Sequence, residues 1–127
     1  MKLIAVDGAV FVPDDPLVVC SIAPAGVPSI KCKLEAKGVL KDGYNIIVSA
    51  IQYPSAGATI VDPALYPAAF ETTATKVKAD GTLVLLEGDL TATISATPQI
   101  PGSPPTPYPV SFKVKIDNVG QTKGKGN

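Results

Sequence analysis

Thirteen prolines are scattered through 127 residues, and they decide most of what this chain can become. Proline lacks a backbone donor and its ring clashes with the preceding helical turn, so helix interiors reject it. Eleven glycines interrupt the chain further. Only Pro63–Glu71 leaves room for a helix, and then as a short turn. The chain is predicted to be all-β.

The apolar pattern points the same way. In Leu90-Thr91-Ala92-Thr93-Ile94-Ser95-Ala96 apolar and hydroxyl residues alternate, and in Phe112-Lys113-Val114-Lys115-Ile116 the lysines alternate with apolar residues. Period two places one set on the core and the other in water, which is the pattern of a half-buried strand. Further strands are expected at Lys2–Val6, Val10–Val12, Leu17–Ile22, Ile30–Ala36 and Tyr44–Gln52. Asp42-Gly43 and Asp80-Gly81 are turn dipeptides, because glycine takes positive φ at little cost. Lys76–Lys78 and Thr82–Leu86 therefore read as the arms of a hairpin closed at Asp80-Gly81.

Two segments depart from this pattern. Thr97–Pro109 carries Pro98, Pro101, Pro104, Pro105, Pro107 and Pro109. It is expected to run as a stiff polyproline II connector over the surface, with a ligand for a peptide-recognition module as the alternative. Residues 121–127 contain no apolar side chain and read as a flexible C-terminal tail on a single domain spanning residues 1–120. No internal repeat of fixed period is evident.

Composition removes whole classes of chemistry. Histidine, arginine and tryptophan are all absent. Without histidine there is no Ser-His-Asp or Cys-His catalysis and no common transition-metal ligand set. Without arginine there is no bidentate readout of phosphate or guanine. Eleven acidic and eleven basic side chains sum to zero charge, so no nucleic-acid partner is expected.

Asp14-Asp15 reads as a solvated turn, since no calcium loop surrounds it. Glu87-Gly88-Asp89 sits at a strand corner rather than in a sugar cleft. Cys20 and Cys32 are too few for a structural zinc site; they read as two buried thiols or as a disulfide. No catalytic residue, cofactor or metal site is expected. The opening Met1–Gly8 breaks its apolar run at Asp7 before a signal-peptide core forms, so synthesis and folding in the cytoplasm are expected. The four tyrosines, Tyr44, Tyr53, Tyr66 and Tyr108, read as core or rim packing.

The stretch Lys76-Val77-Lys78-Ala79-Asp80-Gly81-Thr82-Leu83-Val84-Leu85-Leu86-Glu87-Gly88-Asp89 resembles a recurring element of PAAR and PAAR-like proteins. These are the conical tips of contractile injection machines: type VI secretion systems, phage tails and phage-tail-like particles. Gly81 and Gly88-Asp89 match the family's frame, while Leu83-Val84-Leu85-Leu86 replaces the Pro-Ala-Ala-Arg signature. Val6-Asp7-Gly8, Pro98–Pro109 and Phe112–Gln121 agree more loosely.

The resemblance implies a compact conical β-wedge that caps and sharpens a trimeric VgrG-like or baseplate-hub spike. It implies incorporation into the particle, transient contact with a target membrane, and an effector cargo as a possible passenger. Many family members hold an apical metal with His and Cys. This chain has no His, so that site does not carry over. An adhesive or ligand-binding β-sandwich is the alternative, and a phage decoration protein is a third reading.

Overall fold

A computed structural model describes residues 1–127, apart from the side chain of Ser55. The described residues contain no α-helix and form seventeen short strands. The chain opens with β1 (Lys2–Leu3), turns at Asp7-Gly8 and enters β2 (Val10–Pro13) and β3 (Val19–Pro24). A tight hairpin of β4 (Lys33–Leu34) and β5 (Lys37–Gly38) leads past Asp42-Gly43 into the longest strand, β6 (Asn45–Tyr53). A 3-10 turn at Pro54–Ala56 sends the chain back along β7 (Ala58–Asp62) and β8 (Tyr66–Glu71).

A second hairpin, β9 (Lys78–Ala79) and β10 (Thr82–Leu83), leads past Glu87-Gly88 to β11 (Leu90–Thr91). The remainder is β12 (Ile94–Ala96), β13 (Gln99–Ile100), β14 (Thr106–Pro107), β15 (Val110–Phe112), β16 (Val114–Asn118) and β17 (Lys125–Gly126). The predicted all-β class is what the chain adopts.

Nine of the strands form one antiparallel sheet in the order β14-β13-β7-β6-β8-β11-β16-β2, with β3 added on β6. β6 shows how sequence sets burial. Ile46 and Val48 point into the core by period two, and Ala50 then takes a left-handed φ of 52°. That extra residue is a bulge, where the pairing with β3 shifts register, and it moves the inward position to Ile51. The main core gathers Leu40, Ile46, Val48, Ile51, Phe70, Leu85, Val114 and Ile116. A second, smaller core packs Ile4, Val6, Val39, Ala74, Ala79, Val84 and Leu86 beneath the short hairpins.

Several expectations change. Pro63–Glu71 is not a helical turn, because Tyr66–Glu71 is a strand whose residues 66–69 pair with Asn45–Val48 and whose last two pair with β11. Leu90–Ala96 is two strands in different sheets: β11 joins β8 and β16, whereas β12 joins β15. The connector Thr97–Pro109 is partly β-structure rather than a free-running extended segment, with β13 and β14 forming a hairpin that touches β7 through Gln99 and Ile60. Of its prolines only Pro107 lies in a strand, the edge strand β14, where the ladder needs no further donor; the other five lie outside the strands.

The tail is not frayed. Lys125–Gly126 pairs with Lys2–Leu3, and the Gln121 amide is buried, donating to the carbonyls of Ile4 and Gly124, both at 2.8 Å. Residues 121–127 therefore belong to the same folded body as residues 1–120. Both cysteines are free: Cys20 packs on the main core and Cys32 on the smaller one.

Candidate functional site

The smaller core is enclosed by three chain segments built alike. Residues 31–43 read KCKLEAKGVLKDG and residues 76–88 read KVKADGTLVLLEG. The third copy is assembled from both ends, KGKGN of residues 123–127 and MKLIAVDG of residues 1–8. Each has a Lys-x-Lys strand, a hairpin crossing, a short apolar run and an acidic-Gly corner. In the first two copies the crossing is a two-residue turn with both residues at positive φ: Glu35 (50°) with Ala36 (64°), and Asp80 (52°) with Gly81 (79°). In the third, Asn127 and Met1 occupy the corresponding places while β17 pairs with β1.

The hydrogen bonds repeat three times and close into a ring. Ala5 N–H donates to Leu85 C=O at 2.9 Å, Leu85 N–H to Leu40 C=O at 3.0 Å, and Leu40 N–H to Ala5 C=O at 3.0 Å. All three side chains are buried, at 0–1% exposure, and point into the main core. One residue to either side, bridges link Ile4 to Leu86, Val6 to Val39 and Lys41 to Val84.

One turn further on, Asp7 N–H donates to Gly38 C=O, Asp42 N–H to Leu83 C=O and Glu87 N–H to Leu3 C=O, at 2.8–2.9 Å. Gly8, Gly43 and Gly88 then take φ of 91°, 83° and 81° at the three corners. A side chain there meets the usual left-handed penalty. The arrangement has threefold pseudo-symmetry within a single chain.

Gly81, Gly88 and Asp89, the positions singled out by sequence, fall in this frame. Gly81 completes the β9–β10 turn and Gly88 makes the third corner. Asp89 is buried and ties that corner down. Its Oδ2 accepts from Leu86 N–H at 2.7 Å, and its Oδ1 accepts from the Thr73 hydroxyl at 2.6 Å. The symmetry-related positions are Ala9 and Tyr44, so this carboxylate is peculiar to one corner.

Several other acids also accept from the backbone. Asp14 Oδ1 accepts from Lys113 N–H, Asp15 Oδ1 from Leu17 N–H and Glu87 Oε1 from Leu3 N–H. Asp80 accepts from the Ser29 hydroxyl at 2.7 Å and pairs with Lys41 at 3.4 Å. The Ser29 hydrogen bond, aided by the Lys41 ammonium, holds its carboxyl below the usual range. Among the described residues, no group of three or more His, Cys, Asp or Glu is placed to hold a metal ion.

Beyond the corners the symmetry weakens. Each copy is flanked by an antiparallel pair: β16 with β2, β3 with β6, and β8 with β11. Ladders join neighbouring pairs at β6–β8 and at β11–β16. The corresponding β2–β3 seam has no ladder in the sheet. A groove of about 350 Å³ runs there, lined by Phe11, Ile22, Leu40 and Tyr44. On another side, β7, β13 and β14 project as a wing with Tyr53 stacked on Tyr108 at 5.7 Å.

The threefold pattern was the feature missed in the sequence. Its trace is the acidic-Gly dipeptide after a short apolar run, at Asp7-Gly8, Asp42-Gly43 and Glu87-Gly88. No protein-family model, curated sequence or solved structure matches this chain.

Proposed function

We propose that this protein is a PAAR-like spike tip, which caps and sharpens the trimeric central spike of a contractile injection apparatus. One observation carries the reading: a single chain closes a threefold ring of backbone hydrogen bonds through Ala5, Leu40 and Leu85. A closed trimer presents three equivalent surfaces around its axis. A monomer that also presents three equivalent surfaces meets all of them at once.

Rigidity supports the same reading. The ring is buried between two cores, and each corner is locked by backbone hydrogen bonds to the adjacent copy. A piercing tip transmits force and needs no turnover, in keeping with acids that serve as backbone acceptors. On this reading the smaller core, filled by Ile4, Val39, Val84 and Leu86, packs with aliphatic side chains the region between the three copies. The protein is then made in the cytoplasm, built into the particle, and brought to a target envelope when the sheath contracts.

The test is direct. The purified chain is mixed with the trimeric β-helical spike protein of the same genome and passed through a size-exclusion column. Co-elution is the expected outcome, and separate elution at micromolar concentration would overturn the proposal.

A further inference from the structure

We infer that the lysines of the three Lys-x-Lys strands form a basic docking crown that recognises an acidic rim, repeated threefold, on the blunt end of the trimeric spike. This deepens the tip reading and rests on it.

The crown comprises Lys31 and Lys33, Lys76 and Lys78, and Lys123 and Lys125. All six are exposed. Period two explains why: the residue between each pair, Cys32, Val77 or Gly124, turns inward, and Cys32 and Val77 pack on the smaller core. Among the described residues none of the six makes a side-chain hydrogen bond or ion pair; the ion pair present is Lys41–Asp80.

Net charge hides this arrangement. Lys113 and Lys115 are the only lysines outside the three copies, and the part of the chain beyond the corners carries Asp14, Asp15, Asp62, Glu71, Asp89 and Asp117. The three copies set nine lysines against Asp7, Glu35, Asp42, Asp80 and Glu87, so the hairpin end is basic and the sheet end acidic, although the whole chain sums to zero.

Symmetry selects the partner. The sheet end cannot offer three equal surfaces, because the β2–β3 seam lacks a ladder and the wing of β7, β13 and β14 stands on one side. The hairpin end repeats its lysines in register with the copies themselves. Each pair can therefore meet the same acidic group on each subunit of a trimer. A lipid or nucleic-acid surface has no threefold feature to exploit that register. Complementary charge at such a rim speeds encounter and fixes orientation, and it weakens as salt screens it.

The experiment compares three forms of the protein against the trimeric spike by titration calorimetry. The triple variant Lys33→Glu, Lys78→Glu, Lys125→Glu removes one lysine from each copy, and Lys113→Glu with Lys115→Glu serves as the control at the other end. The triple variant should bind about 100-fold more weakly and the control within about threefold of wild type. Raising salt from about 0.05 to about 0.5 M should weaken wild-type binding about tenfold.

Equal binding by the triple variant, or wild-type affinity indifferent to salt, overturns the crown while leaving the tip reading intact. No binding by wild type at any salt overturns both, and binding to anionic vesicles or duplex DNA instead would reassign the lysines. Should the triple variant fail to fold, as judged by circular dichroism, the wild-type salt dependence decides alone.

Discussion

The hairpin end and the sheet end of this molecule are built on opposite terms. At the hairpin end three segments of nearly equal length make the same bonds to one another, around Ala5, Leu40 and Leu85. At the sheet end the same three segments continue into strands of unequal length, with one open seam and one projecting wing. Backbone hydrogen bonds depend on chain direction and turn geometry, so three different sequences can satisfy one symmetric pattern. Side-chain packing depends on identity, and there the copies diverge: Asp89, Tyr44 and Ala9 occupy related places with unrelated contacts. Symmetry is held in the backbone, and individuality is held in the strands beyond it.

Emptying the main core where it packs against the ring should have the largest effect. Leu85→Ala empties a fully buried site where the three copies meet and should cost about 3 kcal/mol, read as a lower urea midpoint. A value near zero would mean that the main core is not packed tightly against the ring at Leu85.

The wing depends instead on Asp62, a buried carboxylate that accepts from the Tyr66 hydroxyl at 2.6 Å, Thr97 N–H at 2.8 Å and Ala64 N–H at 2.9 Å. Burial alone would raise its pKa. The hydrogen bonds from Tyr66, Ala64 and Thr97 outweigh that and hold it below the ordinary value. A depressed folded-state pKa contributes stability above the unfolded value of about 3.9, lost as pH falls through the folded one. Wild type should therefore weaken below about pH 4. Asp62→Asn should lose about 2 kcal/mol at pH 7 and show a smaller drop on acidification, measured by denaturant melts at both pH values.

The smallest effect sharpens the comparison of the copies. Ala36 holds the left-handed position that Gly81 fills in the neighbouring hairpin. Ala36 is exposed, and Ala36→Gly should stabilise the protein by about 0.5–1 kcal/mol by removing the Cβ penalty, a rise visible in thermal melts.

Much of the fold was legible. Alternation marked Phe112, Val114 and Ile116 as buried, although the chain changes sheets at Lys113, between β15 and β16. The strand expected at Tyr44–Gln52 forms as β6, and Asp80-Gly81 closes the hairpin it was expected to close. The failures have physical causes. Alternation in Leu90–Ala96 continues unbroken across Ala92-Thr93, yet the chain changes sheets there, and side-chain polarity does not report a change of backbone partner. Residues 121–127 lack apolar side chains because backbone pairing and the Gln121 amide hold them instead of burial. The threefold pattern escaped because its copies share side-chain direction and corner geometry with little identity, and because one copy is divided between the two chain ends. Gly81, Gly88 and Asp89 were visible as local motifs; the ring that relates them to Gly8 and Gly43 exists only across copies.

The most direct test of the account is the mass of the complex between this chain and the trimeric spike, measured by native mass spectrometry. Threefold pseudo-symmetry within one chain predicts a single copy bound per spike trimer. Three copies per trimer, or no complex, would contradict it.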